Sequence, residues 1–255
     1  MSLQRLVLSA LVLGLTPLSS AVLASGGEVK PPSQDWSFNG PFGYYDKAAM
    51  QRGYKIYREV CASCHSMKRM YFRNLDALGY NEAQIKNIAS EYTVRDGPDD
   101  EGEMFDRPAL PSDHFTSPFP NSKAAAFANG GSIPPDLSLI TKARANGPNY
   151  IFGLLTGYQE PPHGAEVVEG KSWNKYFPGH NISMAAPLSD GQISYEDGSA
   201  ETLEQYSHDL VQFLMYAADP HMEARKKAGF RVILFLLIFA GIMYAVKKKI
   251  WKDVH

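Results

Sequence analysis

The sequence predicts a mainly α chain: one exported domain broken by long loops, followed by a single C-terminal membrane helix. Three observations lead there. Between Glu201 and Ala218, Leu203, Tyr206, Leu210, Phe213 or Leu214, and Ala217 recur at helical spacing, the pattern of a helix with one buried face. Val232 to Val246 is an uncharged, mostly apolar run of fifteen residues. Pro and Gly concentrate in 96–120 and 160–190, which reads as long ordered loops.

In chain order, residues 1–24 read as an export signal. Arg5 is the charged start, Leu6 to Leu15 the apolar stretch, and Val22-Leu23-Ala24 offers small residues before a cut at Ser25. Thr16, Pro17, Ser19 and Ser20 break the run and leave it too short for an N-terminal anchor. From Asp46 to Val60 the pattern predicts a helix with Met50, Tyr54 and Tyr57 on one side, and with Gly53 where another helix can approach closely. Further helices are predicted over Asn81 to Tyr92 and over Ala143 to Leu155, the latter interrupted by Gly147-Pro148. Asp197-Gly198 marks a tight turn, and Pro220 stops the helix that ends at Ala218. Counted from Ala228, the apolar run gives a span over 228–246, about 28 Å of helix and close to the hydrocarbon thickness. The division is therefore 1–24 signal, 25–224 exported domain, and 225–255 anchor with a short basic tail.

Charge is uneven. Residues 25–224 hold 16 Lys plus Arg against 26 Asp plus Glu, whereas 225–255 hold eight basic groups and one acid, Asp253. An acidic exported domain excludes nucleic acid as a partner and suits a basic protein. Arg225, Lys226, Lys227 and Arg231 precede the uncharged run 232–246 and Lys247, Lys248, Lys249 and Lys252 follow it, so charge alone does not orient the span. The export signal does, placing the long domain outside and the tail in the cytoplasm.

Both cysteines of the chain lie in "VCASCHS", as Cys61 and Cys64, with His65 next. Disulfide exchange by C-x-x-C needs no histidine at that position, and a structural zinc site needs four ligands, for which no second pair exists. C-x-x-C-H is the attachment pattern of a c-type haem, in which two thioethers hold the porphyrin and the adjacent imidazole lies under the iron. In an oxidising compartment, covalent attachment also removes the liability of two free thiols. A large flat cofactor would further explain the long loops. With His65 as one axial ligand, methionine or histidine is expected opposite it. Met67 and Met70 follow His65 too closely, Met50 and Met215 lie on predicted helix faces, and Met222 and Met243 belong to the membrane approach and span. That leaves Met184, ahead of Met104, with His180 or His163 as the alternative.

Together "VCASCHSM", "DGPDDEGEMFDRP", "NGGSIPPDLSLI", "ARANGPNYIFGLLTGYQEPP", "ISMAAPL" and "YEDGSAETLEQYSHDLVQFLMYAADP" resemble the cytochrome c1 family, the haem subunit of the cytochrome bc1 complex, over nearly all of the exported domain. The resemblance implies a mainly α, c-type cytochrome-like haem domain with long loop insertions and one C-terminal transmembrane helix. It implies one haem c on Cys61 and Cys64, axial ligation by His65 and Met184, pocket contacts from Asn129, Pro134 and Pro135, and propionate contacts from Arg144 and Tyr150. It also implies cytochrome b and a Rieske iron–sulfur protein as partners in a dimeric quinol–cytochrome-c reductase, with cytochrome c as acceptor. The membrane would be a bacterial cell membrane, with the haem domain on the periplasmic side. Some members carry a further cysteine pair; this chain does not, so no disulfide staples its loops. The rival reading is an anchored periplasmic haem protein with an open axial position, acting as sensor or haem enzyme.

Overall fold

A computed structural model describes residues 29–253; the expected signal over 1–24 lies outside them. The described residues fold into six α-helices, α1 (Lys47–Glu59), α2 (Glu82–Ser90), α3 (Ser122–Ala128), α4 (Gly147–Thr156), α5 (Leu203–Ala218) and α6 (Met222–Ile250). Two small antiparallel sheets pair β1 (Thr93–Asp96) with β2 (Phe105–Pro108) and β3 (Ser172–Trp173) with β4 (Asn181–Ile182). The mainly helical class with one helix long and apolar enough to cross a membrane is as the sequence predicts.

The core is the packing of α1 on α5. Gly53 permits it: a Cβ there would fall on the Asp209 carbonyl oxygen, so only glycine lets the two backbones come so close. Around that crossing, Met50, Tyr54, Ile56 and Tyr57 of α1 are buried with Tyr206, Leu210, Phe213 and Leu214 of α5. Removing each such side chain from water contributes roughly 1.5–3 kcal/mol. The Tyr57 and Phe213 rings lie 5.8 Å apart, and Phe115 from the 96–120 stretch stacks on Tyr57 at 6.0 Å. The loops are thus fastened to the core by their aromatic residues. One buried charge crosses the same interface. Arg52 grips Asp209 through Nε at 2.7 Å and Nη2 at 2.9 Å, and Tyr195 and Gln205 donate to the same carboxylate. Burial alone would raise Asp209, but the bonds it accepts hold it below the usual carboxylate range.

Helix starts follow local chemistry. Asp46 Oδ1 accepts the Ala49 N–H, Asn121 Oδ1 that of Ala124, and Thr202 Oγ1 that of Gln205, while Asn81 and Gln84 form a reciprocal capping box. Two elements differ from expectation. The helix expected from Ala143 begins only at Gly147, because Asn146 is left-handed (φ 52°) and a Cβ on Gly147 would strike the Thr141 carbonyl. The seven-residue α3, built largely of alanines, has no amphipathic period to reveal it. Met222, expected in the membrane approach, is instead buried in the core, so the globular domain includes the first turn of α6.

Candidate functional site

The sequence around Cys61 takes its shape from α1. The helix ends at Glu59, and a 3-10 turn over Cys61–Ser63 carries Cys61 half-buried against the core and leaves Cys64 exposed. The Cys64 and His65 N–H groups both donate to the Cys61 carbonyl, at 3.1 and 2.8 Å, which closes the turn and sets the two thiols and the imidazole on one short arc. Burial, then the nearness of Cys64, pushes the Cys61 thiol up to about 12. Among the described residues there is no group of three or more His, Cys, Asp or Glu that could hold a metal ion.

His65 is oriented through its ring. Nδ1 lies 2.8 Å from the Pro135 carbonyl oxygen, so Nδ1–H donates and the Nε2 lone pair is left for a ligand. Burial pushes the imidazole pKa down, opposed by that carbonyl and by the Asp136 charge. The neutral, ligating form is the one favoured. The loop bearing Pro134 and Pro135 is itself pinned: Asp136 accepts from Ser66 Oγ at 2.8 Å, Lys68 N–H at 2.9 Å and Ser138 N–H at 2.9 Å. Burial would raise Asp136, but these bonds hold it below the ordinary range. Leu137 N–H also donates to the Ser66 carbonyl at 2.8 Å. The "PPDLS" stretch and the cysteine motif are therefore one unit.

Met184 is held by its main chain. It is half-buried in the irregular stretch after β4, and its carbonyl oxygen accepts the Tyr158 hydroxyl at 3.1 Å. Tyr158 follows α4, and its hydroxyl pKa is raised by burial and then by nearby Tyr150. The fully buried Asn174 braces the same region, donating to the Leu154 carbonyl at 2.7 Å and accepting from the Tyr176 and Phe177 N–H groups. His180, the alternative ligand, stacks on Trp173 at 4.9 Å and bonds through Nδ1 to the Asn174 carbonyl at 3.1 Å. His163 and Met104 are exposed in loops.

Of the other expected contacts, Tyr150 sits half-buried on α4 near Tyr158, and Asn129 caps α3 by donating to the Ala125 carbonyl at 2.7 Å. Arg144 is exposed and donates to the Ala143 carbonyl at 3.1 Å. Tyr158, Asn174 and Asp136 escaped sequence reasoning, because their roles are bonds across 26, 20 and 70 positions of chain. For Tyr158 and Asp136 the only local signal was membership of the quoted "LLTGY" and "PPDLS" stretches.

The donor set fits a haem. Two unpaired thiols, an imidazole nitrogen directed away from its own hydrogen bond and a half-buried thioether are what a covalently attached iron porphyrin requires. Ile133, two residues before the carbonyl that orients His65, is 57% exposed, apolar surface that a flat macrocycle would cover. Helical core, C-x-x-C-H turn and, among the described residues, one membrane-length helix fit a membrane-anchored protein of the c-type cytochrome class, with Cys61 and Cys64 placed to bind haem covalently. The profile of the Cytochrome C1 family matches residues 36–254, and the chain belongs to that family. It is 52% identical to "Cytochrome b/c1" of Bradyrhizobium diazoefficiens, over 91% of this chain but only 37% of that longer protein. It is 48% identical to "Cytochrome c1" of Rhodospirillum rubrum, over 98% of this chain and 97% of that one. With "Cytochrome c1, heme protein, mitochondrial" of Saccharomyces cerevisiae the identity is 41%, over 92% of this chain and 77% of the other.

Proposed function

We propose that this chain is the haem-bearing electron-transfer subunit of a cytochrome bc1 complex, taking electrons from a Rieske iron–sulfur protein and handing them to a cytochrome c. Family membership supports the haem and the complex. The observation that carries the site assignment is the Cys61–His65 turn with Nδ1 committed to Pro135 and Nε2 left to coordinate. Cys61 and Cys64 would tether the haem, and His65, through Nε2, and Met184, through its thioether, would hold the iron. Bound there, the haem supplies reversible one-electron chemistry at iron, and a methionine ligand favours the ferrous state and raises the potential.

The chain's own residues do the rest. Asp136 and Pro135 hold the imidazole, Tyr158 holds the backbone of Met184, and Asn129, Pro134, Arg144 and Tyr150 make up the remaining contacts with the cofactor. With His65 and Met184 both holding the iron, no site on it would be left for a substrate, which would separate this reading from an oxygen-activating enzyme or gas sensor. The apolar part of α6 spans a bacterial cell membrane beside cytochrome b, with the exported domain on the periplasmic side and Lys247, Lys248, Lys249 and Lys252 in the cytoplasm. The β1–β2 hairpin offers Asp99, Asp100, Glu101 and Glu103 exposed at its tip; among the described residues none of these four is in an ion pair. Such a field steers a basic acceptor protein.

The test is a denaturing gel stained for haem, followed by the ferric absorption spectrum of the native protein. Haem that stays with the chain, together with the band of methionine-sulfur ligation, is expected. Haem lost on denaturation would remove Cys61 and Cys64 from their roles. An absent sulfur band would remove Met184 and return attention to Met104 or His180.

A further inference from the structure

The start of α6 is bound to the globular domain. Glu223 Oε1 accepts the Tyr45 N–H at 2.8 Å, and the Lys226 ammonium donates to the Phe38 carbonyl at 2.7 Å and to the Gly43 carbonyl at 3.4 Å. These bonds fix the loop over 37–45 to the helix immediately before its apolar run. The loop is closed on itself as well. Tyr44 N–H donates to the Ser37 carbonyl and Asn39 N–H to the Trp36 carbonyl, both at 2.9 Å. Gly40 takes a φ of 70°, and a Cβ on Gly43 would collide with the main chain of Phe38 and Asn39. Phe38 is turned inward and stacked on Trp36 at 5.4 Å. A turn this tight cannot fold its tip away from solvent, and the tip is apolar: Phe42 is 80% exposed and Tyr44 62%.

The position of that tip is telling. The Phe42 ring centroid lies 6.2 Å from that of Phe230, the third residue of the expected 228–246 span. A ring so close to Phe230 stands at the depth where the span enters the bilayer. Phe230 is itself 57% exposed, and Leu234 and Leu237 continue down the helix at helical spacing from it, also exposed. From Ser37 to Tyr45 the loop has no charged side chain, while Lys227 and Arg231 are exposed at the same level of the helix. An apolar ring, a phenol and cations gathered at one depth match the layering of a lipid headgroup region, where aromatic residues concentrate.

We propose that the 37–45 loop is a second point of membrane contact. Phe42 enters the boundary between headgroups and acyl chains beside Phe230, and the Tyr44 hydroxyl remains among the headgroups. A lone helix leaves the domain above it free to tilt; two contacts, one of them bonded to the helix through Lys226 and Glu223, set its height and its tilt over the bilayer. An exposed aromatic ring beside the start of an apolar span can lodge at the headgroup boundary. The inference rests on the span and is independent of which residues ligate the iron.

The experiment uses the full haem-loaded chain in phosphatidylcholine–phosphatidylglycerol nanodiscs and in the assembled complex, with a nitroxide attached at Phe42→Cys. Collision rates are read with dissolved oxygen, which partitions into lipid, and with a water-soluble nickel complex. Labels at Lys86→Cys on exposed α2 and at Leu237→Cys within the span provide the references. The expected result is an oxygen-to-nickel ratio at 42 shifted away from that at Lys86 and toward that at Leu237, in both preparations. A ratio at 42 equal to that at Lys86, with Leu237 shielded from nickel, would overturn the loop contact and leave the span standing. Nickel access at Leu237 would overturn both. Shielding of position 42 from oxygen and nickel alike in the assembled complex would show a protein subunit over the loop and overturn the lipid assignment.

Discussion

His65 and Met184 are held by opposite means. The histidine is fixed by its side chain, which spends one ring nitrogen on the Pro135 carbonyl and leaves the other, the nitrogen proposed to coordinate, out of that bond. The methionine is fixed by its main chain, through the Tyr158 hydroxyl on its carbonyl oxygen. The contrast follows from the side chains. An imidazole has two nitrogens, so one can be anchored without loss of the ligand, whereas a thioether is a single weak acceptor on a flexible stem and must be placed by placing its backbone. The histidine half also rests on the α1–α5 core, while the methionine half rests on loops braced by Asn174. The first half is expected to be the rigid one and the second the one that yields.

The largest effect is expected from undermining the rigid half. Gly53→Ala drives a Cβ onto the Asp209 carbonyl and must part α1 from α5, at a cost of about 3 kcal/mol or more. For a domain of this size the midpoint should fall by roughly 6–12 °C, read by thermal denaturation. An unchanged midpoint would mean that the helices can separate freely, and the claimed rigidity would be lost. Next comes removal of Met184, the proposed ligand on the yielding side. Met184→Leu should leave haem attached, lower the midpoint potential by more than about 100 mV within the roughly 0.8 V that axial ligands span, and let carbon monoxide bind. Potentiometry decides, and an unaltered potential would reject Met184.

A smaller change sharpens the contrast. Tyr158→Phe keeps the ring and deletes only the hydrogen bond to Met184, worth about 1 kcal/mol. The sulfur band should be lost at lower temperature than in the parent protein while the histidine half stays unperturbed. If the band persists at all temperatures up to unfolding, main-chain anchoring is not how the methionine is held. The smallest effect concerns the acidic hairpin. Arg107 pairs with both Asp96 and Asp113, Arg95 with Asp106, and Arg58 with Glu91, so four of the eight acids between Glu91 and Asp113 are already compensated. Electron transfer to a basic cytochrome should therefore slow only a few-fold as the Debye length shrinks from about 30 Å at 0.01 M to about 10 Å at 0.1 M. Stopped-flow rates at several salt concentrations measure this, and a flat response would remove the hairpin from the encounter.

Where a feature depends on neighbours in the chain, it was legible in the sequence. Asp46 and Asn81 stand where predicted helices begin and cap them in the structure, because a side-chain oxygen three positions from a free N–H needs nothing else. The α1 and α5 faces follow from apolar spacing, Gly53 from its place on that face, and the cysteine turn from five consecutive residues. The membrane-length helix follows from an uninterrupted apolar run. Where a feature depends on partners far along the chain, only the tertiary structure decided it. No local pattern says that Asp136 ties Ser66 and Lys68 to the "PPDLS" loop, that Tyr158 reaches the Met184 carbonyl, or that Arg107 silences Asp96 in the hairpin and Asp113 beyond it. Nor does any pattern say that the first turn of α6 belongs to the domain above it, gripped by Phe38 and Tyr45 across more than 170 residues. Hydrogen bonds and ion pairs form between whichever groups the packed core brings within about 3 Å, and that geometry exists only once the α1–α5 core has closed.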